Sequence, residues 1–128
     1  QFRWPMRRVM LEFPAGKLDA NESPFVCGRR ELREETGYRA AEWARAGVLN
    51  NAIAYSNEGI EIWFARGLTR GAAKLDDEEF LEIVIHSEAE IEALCANGGI
   101  TDAKTLIGLL WLQKYRAGVW PLVWQPAP

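Results

Sequence analysis

Gly16-Lys17-Leu18-Asp19-Ala20-Asn21-Glu22-Ser23-Pro24-Phe25-Val26-Cys27-Gly28-Arg29-Arg30-Glu31-Leu32-Arg33-Glu34-Glu35-Thr36-Gly37 is the most informative stretch of this chain. Ser23 followed by Pro24 marks a helix start. The serine hydroxyl can accept from a first-turn amide, and proline at the first helical position gives up only an N–H that would be unpaired there anyway. Gly37 supplies the stop. Each helical residue turns by about 100°, so Glu31 and Glu35 point about 40° apart and Glu34 lies roughly 60° to the other side. Three carboxylates therefore share one helix face behind a glycine-led loop.

Ionised carboxylates at i,i+3 and i,i+4 repel, so such a face is costly unless cations compensate. Mg²⁺ suits such a face because it takes hard oxygen ligands, keeps several waters and is held by a few carboxylates together with substrate phosphates. Arg30 and Glu22 read as supports, the guanidinium tying helix to loop through a charge-assisted hydrogen bond. A run of glutamates can also be a plain solvated face. The flanking glycines and Glu22 weigh against that reading here.

With these residues in hand, Gly16 to Tyr38 resembles the Nudix box, the signature of Mg²⁺-dependent hydrolases of nucleoside diphosphates linked to another moiety. Tyr38 stands where an aliphatic residue is usual, and Cys27-Gly28 where small alanines are common. Gly28 weakens the helix by about 1 kcal/mol relative to Ala. The likeness extends to Gln1-Phe2-Arg3 and to Leu11 through Asp19, which resemble the run into the box in ADP-ribose pyrophosphatases. Asp77-Glu78-Glu79-Phe80-Leu81-Glu82 is similar to the acidic loop and strand of the same branch.

The resemblance implies an α/β fold, the Nudix α/β/α sandwich with a mixed β-sheet, formed by residues 1–128 as a single domain. It also implies hydrolysis of the diphosphate bond of ADP-ribose or a related nucleoside diphosphate sugar, with Mg²⁺, or Mn²⁺ in its place. On the matching positions, Glu31 and Glu35 are metal ligands, Glu34 is a ligand or water-orienting group, and the Ala15 carbonyl completes the shell. Glu79 is the general base, with Glu78 its rival. Arg3 holds the diphosphate, and Glu58, in Tyr55-Ser56-Asn57-Glu58, is a substrate-side group. A homodimer is implied too, built on N-terminal strands that precede Gln1 and whose partner contributes to adenine binding.

One departure bears on the substrate. No proline occurs between Pro24 and Pro121, where the ADP-ribose branch commonly has one shortly after the box. Another nucleotide sugar or a broader range is therefore open. So are two other readings: hydrolysis of a dinucleotide or damaged nucleotide, and a sensing module that binds a nucleotide sugar without turnover.

Composition fits one ordinary core, with 128 residues, 48% hydrophobic, and a net charge of −3. Arg3, Arg7 and Arg8 are enough for a diphosphate but thin for a polymer, so nucleic acid is not expected. No run approaches the roughly twenty apolar residues of a membrane span. Cys27 and Cys95 lack any paired spacing, which points to free thiols and a cytoplasmic protein. His86 stands alone without a catalytic companion and reads as a structural or surface residue.

Periodicity predicts strands at Arg8–Phe13, Gly47–Ala54, Ile60–Arg66 and Phe80–His86. It predicts helices at Ser23–Thr36, Ser87–Ala96 and Thr101–Tyr115, the last with Leu106, Leu109 and Leu110 inward. The proline-rich end from Val119 reads as a loose tail able to pack on a neighbouring subunit.

Overall fold

A computed structural model describes residues 1–72 and 80–128. Along the chain it has β1 (Phe2–Arg3), β2 (Arg8–Val9), α1 (Pro24–Thr36), β3 (Tyr38–Leu49), β4 (Ile60–Arg70), α2 (Glu88–Ala96), α3 (Ala103–Arg116) and β5 (Trp124–Pro126). Helices and strands are combined in an α/β fold. The described residues fall into two compact units. The first comprises Gln1–Phe13, Val48–Ile60 and Phe80–Pro121, and the second Pro14–Gly47, residues 61–72 and Leu122–Pro128.

In the second unit α1 starts and stops where its local chemistry says. The Ser23 hydroxyl accepts from the Val26 amide at 3.4 Å, Pro24 opens the first turn, and Gly37 closes the helix at φ 74°. The Gly37 N–H caps the Arg33 carbonyl at 2.9 Å. The sheet order is β4-β3-β5. Trp43 pairs with Gln125 and Ala44 with Trp124 in the antiparallel β3–β5 ladder. On its other side, β3 meets β4 through Arg45–Glu61 and Glu42–Arg66 ion pairs. Residue numbers rise along one strand as they fall along the other, so this pair is antiparallel too.

Phe25 of α1 packs its ring 6.0 Å from Trp43 and 5.0 Å from Trp63, closing helix onto sheet. Among the described residues of this unit, Cys27, Trp43 and Ala44 are the buried apolar groups. Gly67 has φ +69°, and a Cβ there would come within 2.9 Å of Ala41 Cβ on the neighbouring strand. Both the backbone conformation and the space require glycine.

The strand expected at Gly47–Ala54 lies earlier, at Tyr38–Leu49. Ala40, Ala41, Glu42, Ala44 and Ala46 give this stretch little strand propensity of its own, so pairing on both edges overrides it. The tail also differs from expectation: Trp124–Pro126 is the third strand of the sheet, and the Arg66 guanidinium lies 4.1 Å above the Trp124 ring.

In the first unit β1 and β2 pair antiparallel with Phe2 opposite Val9. The strand expected from Arg8 to Phe13 ends at Val9, and Phe80–His86 carries no assigned strand. α2 has a full capping box, Ser87 accepting from the Glu90 amide while the Glu90 carboxylate accepts from the Ser87 N–H. Asp102 caps α3. Of the three leucines expected inward on α3, only Leu109 is buried, whereas Leu106 and Leu110 are each 38% exposed. The reason is polar: the Thr105 hydroxyl donates to Asp102 at 2.7 Å and accepts from the Phe13 N–H at 3.0 Å. That fixes the rotation of α3, turning Thr105, Gly108 and Leu109 inward. Gly108 then sits against Phe13, where a Cβ would come within 2.9 Å of the ring. No helix among the described residues is long and apolar enough to cross a membrane.

Candidate active site

Arg30 is the hub of the second unit's polar cluster. Its Nε and Nη2 donate to the two oxygens of Glu22 at 3.0 and 2.9 Å. Its Nη1 donates to Glu31 at 2.8 Å and Glu34 at 3.0 Å. Nη2 also reaches the Lys17 carbonyl at 2.9 Å. One guanidinium thus ties three box carboxylates and the preceding loop to α1, in keeping with the spacing of Glu22 and Arg30. Glu22 in turn accepts from the Asp19 N–H at 3.0 Å, which shuts the loop into a turn.

These bonds set the local protonation. Hydrogen bonds from Arg30, then from the Asp19 amide, hold the Glu22 carboxyl at about 2. The same bonds to Glu22 raise the Arg30 guanidinium above its already high value. Cys27 behaves oppositely, its thiol pushed up to about 11 by burial and next by the Glu22 charge. It donates to the Lys17 carbonyl at 3.4 Å, so it is a neutral structural thiol rather than a nucleophile.

Because the Glu22 carboxyl titrates lower in the folded state, its stabilisation is fully present above 4.5 and is lost as pH falls towards about 2. Urea unfolding measured across that interval is expected to show falling stability, and Glu22→Gln should flatten the slope. An equally steep slope in the variant would remove Glu22 as the anchor of the loop.

The remaining box residues meet the backbone at Ala15-Gly16. Glu35, only 7% exposed, accepts from the Ala15 N–H at 3.2 Å. Glu31 lies so close to Gly16 that a Cβ built there would fall 1.7 Å from its Oε1. Gly16 is therefore a cradle shaped by an absent side chain. The donor set is oxygen throughout, the type that hard divalent cations take. Among the described residues no three acidic, histidine or cysteine side chains gather at metal-ligating distance. Here Glu31 and Glu34 converge on Arg30, and Glu35 turns to the Ala15 amide.

Of the other expected site residues, Glu79 and its rival Glu78 lie outside the described residues. Arg3 and Glu58 belong to the first unit. Arg3 forms a bidentate pair with Glu12, at 2.7 and 3.0 Å, and Lys104 bridges Glu12 to Asp102. Burial alone would raise the Glu12 carboxyl, but hydrogen bonds from Arg3 and Lys104 outweigh it and bring it to about 2. Glu58 accepts from the Asn51 amide at 3.2 Å, while its carbonyl accepts from Asn50 at 2.9 Å.

The Glu12–Lys104–Asp102 chain behind Arg3 leaves no trace in the sequence, because Glu12 and Lys104 are 92 residues apart. The arginines beside α1 are only partly visible there. Arg29 and Arg33 stand out as an i,i+4 pair, but Arg39 joins them only through the start of β3.

A family model for the NUDIX domain matches residues 1–107, drawing on both units. The chain is 34% identical over 119 residues to a methanol dehydrogenase activator of Bacillus methanolicus, covering 91% of this chain and 64% of that protein. It is 32% identical over 119 residues to an ADP-ribose pyrophosphatase of Bacillus subtilis (strain 168), with the same coverage of 91% and 64%. A GDP-mannose pyrophosphatase of Yersinia enterocolitica is 35% identical over 113 residues, covering 82% of this chain and 56% of that protein. The chain thus spans less than two thirds of the length of these curated relatives.

Proposed function

Because the chain belongs to the NUDIX domain family, we propose that it hydrolyses the diphosphate of ADP-ribose or a related nucleoside diphosphate sugar to a nucleoside monophosphate and a sugar phosphate. The observation that carries this reading is the carboxylate face of α1, with Glu31 and Glu34 held by Arg30, Glu35 held by the Ala15 amide and Glu31 seated against Gly16. Two relatives named for pyrophosphatase activity on ADP-ribose and on GDP-mannose support the substrate class.

The oxygen donor set fits a divalent cation, with Glu31, Glu34, Glu35 and the Ala15 carbonyl as holders of Mg²⁺, or of Mn²⁺ in its place. Such an ion, when bound, polarises phosphoryl oxygens and acidifies water. The chain's own groups do the rest. A Glu79 carboxylate oxygen takes the proton of the attacking water, and Glu34 helps to orient that water. Arg3 neutralises diphosphate charge, its guanidinium plane fixed by the bidentate grip of Glu12.

Glu79→Gln is expected to lower kcat by about 100-fold or more, the usual worth of a positioned base, with Mg²⁺ affinity largely kept. Unchanged turnover would move the role to Glu78, tested by the same substitution. The substrate class is tested by a panel of ADP-ribose, ADP-glucose, GDP-mannose, a dinucleotide and a nucleoside triphosphate with Mg²⁺. A nucleotide sugar should be turned over best. Tight binding with no turnover on any member would replace hydrolysis with nucleotide-sugar sensing.

This reading includes a cytoplasmic homodimer, supported by the two free cysteines and by the apolar side chains exposed around β1 and β2, Trp4 at 82% and Val9 at 74%. Light scattering on the sample used for the panel gives the subunit count, and a monomer would remove the dimer.

A further inference from the structure

Beside α1, wholly within the second unit, a cavity of about 500 Å³ is lined by Arg29, Arg30, Arg33 and Arg39 together with Glu22 and Trp43. Charge is not balanced there. Arg30 is matched by Glu22, Glu31 and Glu34, and Arg33, about half exposed, has only Glu34 near it, at 3.8 Å, among the described residues. Arg29 spends its contacts on the Pro128 carbonyl at 3.3 Å and the Phe25 ring at 5.6 Å. Among the described residues neither Arg29 nor Arg39 has an Asp or Glu side chain within ion-pair distance, and Ala127 and Pro128 also line the cavity.

The ring of Trp43 borders the same space and can report on it. Trp43 is 4% exposed and lines the cavity, and among the described residues its indole Nε1 is a buried side-chain donor with no hydrogen-bond partner. The cavity therefore has a surplus of forked guanidinium donors, and the one acidic side chain that lines it, Glu22, is already saturated by Arg30.

We propose that this cavity binds a small phosphate-type anion, held by the guanidinium groups of Arg29, Arg33 and Arg39. Three arginines supply more charge and more donors than one carboxylate can use, whereas the oxygens of a phosphate dianion match several forks at once. Glu31, Glu34 and Glu35 are not among the residues that line the cavity, whereas Arg30 and Glu22 are, so this site adjoins the carboxylate face of α1 across Arg30. It does not rest on the hydrolase reading.

The test is a titration of the full chain with inorganic phosphate, followed by ¹H–¹⁵N spectra at fixed ionic strength. The chain has six tryptophans, so the Trp43 indole signal is assigned by its loss in Trp43→Phe. A saturable shift of that signal is expected. Arg39→Ala should weaken the binding by about tenfold, and Arg33→Ala similarly, each with dispersed amide signals that report an intact fold. Raised salt should weaken it further. A Trp43 signal that does not move with phosphate, or affinities unchanged in both arginine variants, would overturn the site.

Discussion

Gly16→Ala is expected to lower turnover by about 100-fold while leaving the protein folded. A Cβ at this position would sit 1.7 Å from Oε1 of Glu31 and 1.9 Å from its carboxyl carbon, so the two cannot coexist. The colliding atoms are the far end of a flexible side chain, and Glu31 can swing away without moving backbone. Stability should therefore change by only about 1 kcal/mol. Swinging away breaks the 2.8 Å bond to Arg30 and takes the carboxylate from its place beside Gly16. Displacements of about 1 Å near reacting groups cost on the order of 100-fold in rate. Gly28→Ala is the matched control: its Cβ would meet Trp43 at 3.8 Å, an ordinary contact, and should stabilise α1 by about 1 kcal/mol with turnover kept. Equal activity in Gly16→Ala and the parent protein would mean that the position of Glu31 does not matter.

The second large effect is expected at Glu35. Glu35→Gln keeps the size of the side chain and an oxygen able to accept from the Ala15 N–H, so the contact at 3.2 Å can persist. What it removes is charge. The Mg²⁺ concentration for half-maximal rate should rise, and the rate at saturating substrate should fall by more than the roughly 10–100-fold seen when an outer-shell partner is lost. Without metal the variant should be no less stable than the parent, because one of three neighbouring like charges is gone. An unchanged Mg²⁺ midpoint would take Glu35 out of the metal shell. A large loss of thermal stability without metal would make its role structural.

How far the fold is legible in the sequence depends on how local its causes are. α1 and α2 are readable because their caps are written in adjacent residues, Ser23-Pro24 and Gly37 for the one, Ser87 and Glu90 for the other. β3 starts nine residues before the expected strand because Tyr38 through Ala46 is alanine-rich and becomes a strand through partners on both sides. β5 looks like a loose tail in sequence for the same reason: its hydrogen bonds come from Glu42 to Ala44, far away in the chain. The inward face of α3 goes to Thr105 rather than Leu106 because one hydroxyl serves Asp102 and Phe13, a contact invisible to hydrophobic periodicity.

The candidate site divides along the same line. Arg30 as the tie between helix and loop follows from spacing and charge, and its bonds to Glu22 and the Lys17 carbonyl have that form. The fit of Glu31 into the space above Gly16 does not follow, since a glycine in a loop gives no sign of what fills its missing side chain. The pairing of Arg3 with Glu12, nine residues away, is equally hidden, because it depends on how the chain turns after β2.

Metal-dependent hydrolysis is tested by a product assay on ADP-ribose with the intact protein, run in Mg²⁺ and again after chelation, with AMP and ribose 5-phosphate quantified together. Equal amounts of the two products are expected in Mg²⁺ and essentially none after chelation, with activity restored when the ion is returned. Products formed at the same rate in the presence of the chelator would contradict a metal-dependent carboxylate face on α1.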